Sequence, residues 1–182
     1  MIIKSYKFEL GAVATAPLKN FFIKEKCIMD YMDLAIIEAE KAFYKREVPV
    51  GVVIVKDGQI ISKKHNLKEE MKLTTAHAEI LAIEEASKKL DNWRLSGCHM
   101  YVTLEPCPMC AAAIAQSRIS KLYIGTFNKD MGACGSTINL LGYNVFNWQV
   151  DVKWCYNQKC SDLLTSFFKN RRKKQIVEEE VK

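Results

Sequence analysis

The sequence predicts an α/β domain of three layers, an α/β/α sandwich built on a five-stranded mixed sheet. Three observations carry the prediction. The stretch "VPVGVVIVKDGQIISKK" (48–64) has the signature of a β-hairpin, with two β-branched runs around Asp57-Gly58. Downstream, apolar residues recur alternately at helical and at strand spacing, the pattern of an α/β chain. The strand–helix–strand stretch from Cys98 to Thr126 contains a crossover, which calls for parallel pairing.

Each element has a local reason. From Asp30 to Lys45, Met32, Ala35, Ile36, Ala39, Ala42 and Phe43 repeat at helical spacing and give an amphipathic first helix. The hairpin follows. Residues 77–90 return to helix, with Ile80, Ile83, Ala86 and Leu90 close to one face. "CHMYVTL" (98–104) reads as a strand, 107–118 as a helix built on four alanines and Ile114, and "KLYIGT" (121–126) as another strand. A loop, "DMGACGS", leads to a fifth strand near "WQVDVKW" (148–154). A last helix from about Asn157 carries Leu163, Leu164, Phe167 and Phe168. There is no internal repeat and no linker.

Composition narrows the class. At 182 residues the chain has the length of one domain with a full core. No segment approaches a membrane span, and the N-terminal run breaks its apolar residues with Lys and Glu too often for a secretory signal. Residues 1–28 show no periodicity and are expected to form a poorly ordered extension, with Met29 a candidate translation start. The domain is expected over 29–175 and a charged tail over 176–182. Seven cysteines, an odd number, with a Cys-x-x-Cys and no export signal, point to a reducing cytoplasm and to metal or redox use. The formal charge of +6 is uneven, since "KNRRKK" (169–174) places five cations in six residues. Charge alone favours a solvated helix end, whose cations suit the dipole, over a phosphate-contacting segment.

Chemistry concentrates in "TTAHAEILAIEEA" and "YVTLEPCPMCAAAIAQSRI". Cys107 and Cys110, three apart at a helix start, put both sulfurs on one face, and Pro106 and Pro108 suit that first turn. The helix's positive end favours thiolate, the form that binds metal. With His77 opening the other helix, the set is His-Cys-Cys, donors suited to zinc. Three protein ligands leave a fourth position for water, whose pKa on zinc falls to about 7. Glu79, two residues from His77, is placed to move that water's proton. Without a metal beside it, Glu79 would read only as a carboxylate suited to a helix N-terminus. A closed, structural site would need a fourth sulfur. Cys98 lies at the wrong end of its strand, whereas Cys134 sits in a loop at the right end and stays open as a candidate.

His-Ala-Glu followed by Pro-Cys-x-x-Cys resembles the signature of the zinc-dependent nucleoside and nucleobase deaminases. "EVPVGVVIVKDGQII", "HN", "TAHAEILAI", "NWRLSGCHMYVTLEPCPMCAAAI", "GACGSTINLL" and "LLTSFFKNRRKK" together are similar to the bacterial tRNA-specific adenosine deaminases, over about Met29 to Lys174. The resemblance implies a cytidine-deaminase-like fold and hydrolytic deamination of the wobble adenosine of a tRNA anticodon stem-loop to inosine. It implies a cytoplasmic homodimer with one Zn2+ per subunit, active sites near the subunit interface, and no membrane partner. Residue by residue, it makes His77, Cys107 and Cys110 the zinc ligands and Glu79 the proton shuttle. Asn66 would contact the flipped-out purine and the backbone of Ala78 would orient it. Val48, Pro49, Val50 and Leu104 would line the adenine pocket, and Phe167, Phe168, Arg171 and Arg172 would contact the anticodon loop.

Two departures from the family stand out. Asn128 occupies a loop position where the family usually shows aspartate, which implies a looser requirement for ribose and some tolerance of single-stranded DNA. "KLTTAHAE" lacks the Asp-Pro that commonly precedes the histidine motif, a change in the loop and in no catalytic group. Two rival readings stay open: a deaminase of free guanine, cytidine or dCMP, and a non-catalytic RNA-binding module with a structural zinc.

Overall fold

The computed structural model describes residues 31–142 and 146–180, with side chains through Arg172; the expected N-terminal extension lies outside them. Helix α1 occupies residues 31–44. There follow β1 (Gly51–Lys56), β2 (Gln59–His65), α2 (Lys68–Met71), α3 (Ala78–Lys89), β3 (His99–Leu104), α4 (Pro108–Gln116), β4 (Lys121–Thr126), β5 (Asp151–Trp154) and α5 (Gln158–Glu180). Each element expected from the sequence is present. The short α2 was not expected, and α5 runs on to Glu180, so the tail expected from 176 begins inside a helix.

The hairpin turns where its sequence dictates. Asp57 and Gly58 both take positive φ, 50° and 77°, as a two-residue turn matched to strand twist requires. The strands lie in the order β2-β1-β3-β4-β5. β1 is antiparallel to β2 and β3, while β3, β4 and β5 are parallel, so the sheet is mixed as expected.

Strand periodicity sorts side chains onto two faces. Val52, Ile54, Met100, Val102, Leu122 and Ile124 point to one side and pack with Ala78, Ala82, Ala86, Ala111, Ile114 and Ala115 of α3 and α4. Each large aliphatic buried there contributes about 1.5–3 kcal/mol. On the other face Tyr101 stacks on Tyr123, with centroids 4.5 Å apart, and Tyr31 of α1 leans on Tyr101 at 5.3 Å. Gly51 lets α1 close onto β1: a Cβ there would collide with the Ala35 carbonyl and the Ala39 amide. α5 meets β4 where Cys160 sits over Gly125, and Phe167 of α5 meets Phe43 of α1. The result is three layers.

Parallel strands share a carboxyl end, and in α/β sheets that end is where sites form. Here it gathers the close of β3 and β4, the start of β1 and the end of β2. Gly51 N donates to Thr103 Oγ1 (3.0 Å) and Asn66 N to Val50 O (3.1 Å). α3 and α4 begin at the same end. No helix among the described residues is long and apolar enough to cross a membrane.

Candidate active site

α3 and α4 each begin on a potential ligand. His77 is the residue preceding α3 and Cys107 that preceding α4; both have extended backbone, and neither makes a side-chain cap bond. Their side chains are thereby free to face each other. Pro108 fixes the first turn of α4, and Cys110 follows, fully buried. Nδ1 of His77 lies 3.7 Å from Cys107 Sγ and 3.5 Å from Cys110 Sγ, and the three donor atoms are all within 4.8 Å of one another. In a tetrahedron with metal–nitrogen and metal–sulfur bonds of about 2.05 and 2.3 Å, the N–S edge is about 3.6 Å. The residues present fit a zinc ion.

The charges fit it as well. A hydrogen bond from Cys110, together with His77 and despite burial, pulls the Cys107 thiol down to about 4. The same hydrogen bond and burial push Cys110 up, so without a cation only one sulfur ionises. Bonding to Cys107 raises His77. Burial lifts Glu79 to about 7, with the Cys107 charge adding to it. With these two sulfurs and a carboxyl gathered at two helix N-termini, a divalent cation would hold both sulfurs as thiolates.

Cys134 does not join the group. It is buried, and its backbone N donates to Glu105 Oε1 at 2.9 Å. Among the described residues the converging set is His77, Cys107 and Cys110. Cys98 lies at the amino end of β3, bonded through its carbonyl to Ser120 N. Glu79 is 4% exposed and sits in the first turn of α3 beside this set.

Around the metal group, two buried glutamates hold the loops. Glu47, 1% exposed, accepts from Asn66 Nδ2 (3.1 Å) and from the backbone N of Glu69 and Glu70 (both 2.8 Å). It thus orients the amide of Asn66 and seats the start of α2. Glu105, also 1% exposed, accepts from the backbone N of Asn128, Cys134 and Ser136 and from the Ser136 hydroxyl. Gly132 is required beside it, because a Cβ would strike the Glu105 carboxylate. Both glutamates escaped sequence reasoning. Glu47 follows Lys45 and Arg46, and Glu105 precedes Pro106, so neither "EVPVG" nor "TLEPC" marks its glutamate off from a surface charge.

The expected pocket residues fall at the same end of the sheet. Val48 and Leu104 are half-buried against the core, Val50 and Pro49 are buried, and Val50 N bonds to Val48 O at 2.8 Å. Ala78 is the first residue of α3, so its N–H has no acceptor within the helix. Asn128 uses its Oδ1 to accept from Met131 N at 3.1 Å, a task an aspartate would also perform. Its NH2 takes the place of a carboxylate oxygen. On α5 the expectation divides. Phe167 is buried and meets Phe43 edge-on at 6.0 Å, so it is a packing residue rather than an RNA contact. Phe168, Arg171 and Arg172 are exposed.

The chain is similar to known proteins over most of its length. Residues 28–172 match the family described as MafB19-like deaminase. The chain is 47% identical over 146 residues to a tRNA-specific adenosine deaminase of Bacillus subtilis, covering 80% of this chain and 91% of that protein. It is 48% identical over 144 residues to the enzyme of that name from Aquifex aeolicus, covering 78% and 94%. A solved structure from a study of A-to-I editing by tRNA:A34 deaminases superimposes with a TM-score of 0.72 at 39% identity, over 75% of this chain and 99% of that one.

Proposed function

This chain belongs to the MafB19-like deaminase family and to the tRNA-specific adenosine deaminases, and from that membership we propose that it converts the wobble adenosine of a tRNA anticodon to inosine by hydrolysis. The observation that carries the reading is the three-donor group of His77, Cys107 and Cys110 with the buried carboxyl of Glu79 beside it. A Zn2+ held by these three side chains, one per subunit, would supply a water acidic enough to give up a proton near pH 7.

The chain's own groups do the rest. Asn66, its amide fixed by Glu47, and the free N–H of Ala78 hold the purine in register. Val48, Pro49, Val50 and Leu104 keep solvent off its face. Glu79 takes the proton of the attacking water as the water's oxygen bonds to C6. It gives that proton to the ring nitrogen and then carries the proton of the new C6 hydroxyl to the amine, and the C6–N bond breaks to release ammonia and leave a C6 carbonyl. A carboxyl held near neutrality by burial suits both directions of transfer. An anticodon loop suits the site, since its unstacked bases can be splayed outward at little cost. The exposed Phe168, Arg171 and Arg172 of α5 contact that loop and make binding sensitive to salt.

In this reading the protein is a cytoplasmic homodimer, in keeping with the family likeness and with the free thiols Cys98, Cys107, Cys110, Cys134, Cys155 and Cys160. The test is mass spectrometry of an anticodon stem-loop incubated with the zinc-loaded protein. Inosine should form at the wobble position, and Glu79→Gln should abolish it. An unmodified stem-loop would refute the reading. A DNA hairpin of matched sequence, in the same assay, reads the effect of Asn128; no turnover of DNA would remove the proposed tolerance.

A further inference from the structure

The carboxyl end of β4 and β5 carries three aromatic rings that the reaction does not use. Phe127 follows β4, Trp154 closes β5, and Tyr156 lies two residues beyond. Phe127 is 41% exposed and Tyr156 66%. Their centroids are 4.6 Å (Phe127–Trp154), 5.6 Å (Phe127–Tyr156) and 6.0 Å (Trp154–Tyr156) apart, and the last two rings lie within 18° of parallel. Phe127 is inclined by 31° to Trp154 and by 49° to Tyr156, so the rings form a splayed cluster whose exposed members, Phe127 and Tyr156, call for an occupant. Tyr156 takes a φ of 49°, a left-handed backbone conformation that tyrosine seldom adopts.

Position says what the surface faces. Trp154 packs against the sheet face that carries α3 and α4, the face on which the metal group lies. A Cβ on Gly135 would lie 3.8 Å from the Trp154 ring, which sets the ring against the loop clamped by Glu105. Asn128, the neighbour of Phe127, bonds to Glu105, and Ala133 N bonds to Pro106 O (2.9 Å), one residue before Cys107. β5 stands two strand spacings from β3, about 10 Å. Trp154 thus shares a sheet face and a sheet end with the group of His77, Cys107 and Cys110, and Lys129, two residues after Phe127, is exposed.

We propose that Phe127, Trp154 and Tyr156 form a stacking platform for an unpaired nucleobase of the RNA substrate, the neighbour of the base that enters the pocket. This rests on the reading of the substrate as an RNA loop. A loop whose reacting base is turned out loses the stacking of the next base, and an aromatic platform restores it. Stacking is tolerant of sequence, so the platform adds affinity for a splayed loop without reading base identity.

The test is equilibrium binding of a fluorescent anticodon stem-loop in the Glu79→Gln background, where no turnover intervenes. Tyr156→Asn removes the ring with a residue that accepts positive φ, and Tyr156→Phe keeps it. Tyr156→Asn should weaken binding by about 5- to 100-fold, and Tyr156→Phe should restore it. An abasic nucleotide at one of the two positions flanking the reacting base should cause the same loss, and combining it with Tyr156→Asn should add nothing further. Binding unchanged in Tyr156→Asn, or losses that multiply at both flanking positions, would overturn the platform. So would sedimentation showing that Tyr156→Asn breaks the dimer, which would give the surface to a second copy of this chain. If the wild type makes no inosine, the assigned reaction fails separately, and the binding data still judge the platform.

Discussion

One hydrogen bond fixes how the Asn66 amide is turned. The Glu47 carboxylate accepts from two backbone N–H groups and from Asn66 Nδ2, so it fixes the amide nitrogen toward itself and leaves Oδ1 as the atom that the proposed reading turns to the purine. Asn66→Ala should lower kcat/KM by about 10- to 100-fold, the cost of one lost hydrogen bond in a buried site. Glu47→Gln should reproduce part of that loss, because its NH2 must face either the Asn66 amide or two backbone donors. Steady-state kinetics on the stem-loop measure both, and full activity in Glu47→Gln would contradict the positioning role. At this scale the sequence was legible where chemistry needs a rare residue type at a fixed spacing: His77, Glu79, Cys107 and Cys110. It was silent on Glu47 and Glu105, because a glutamate that holds a loop looks like any other until its partners, 19 to 31 residues away, are brought to it.

Among the elements, α5 shows how periodicity and function overlap. Adjacent phenylalanines on a helix point about 100° apart, and here the turn sends Phe167 to Phe43 of α1 and Phe168 to solvent. Phe167→Ala should cost about 3 kcal/mol of stability in denaturant melts, the usual penalty for truncating a buried phenylalanine. Phe168→Ala and Arg171→Ala should leave the melt in place and weaken RNA binding, with a shallower salt dependence for the arginine variant. The reverse pattern would exchange the two roles. Long elements were readable from spacing alone, since α1, α3, the hairpin and the β3–α4–β4 crossover each repeat an apolar pattern. The short α2 was not. Its residues bury nothing, and what seats it is the side chain of Glu47, a contact no local pattern encodes.

Over the whole molecule, one consequence of parallel pairing organises the rest. β3, β4 and β5 end together, α3 and α4 begin there, and the two helix N-termini bring His77 to Cys107 and Cys110 across 30 and 33 residues of chain. The same end receives the Glu47 and Glu105 loops, and on its flank stands the aromatic platform. The account therefore stands on a metal held by three side chains of this chain, with its remaining position left to solvent and Glu79 beside it. X-ray absorption at the zinc edge of the purified, metal-loaded protein tests this directly. Two sulfur neighbours at about 2.3 Å and two nitrogen or oxygen neighbours at about 2.0–2.1 Å are predicted. A third sulfur, which only another cysteine such as Cys134 could supply, would close the shell and contradict the account.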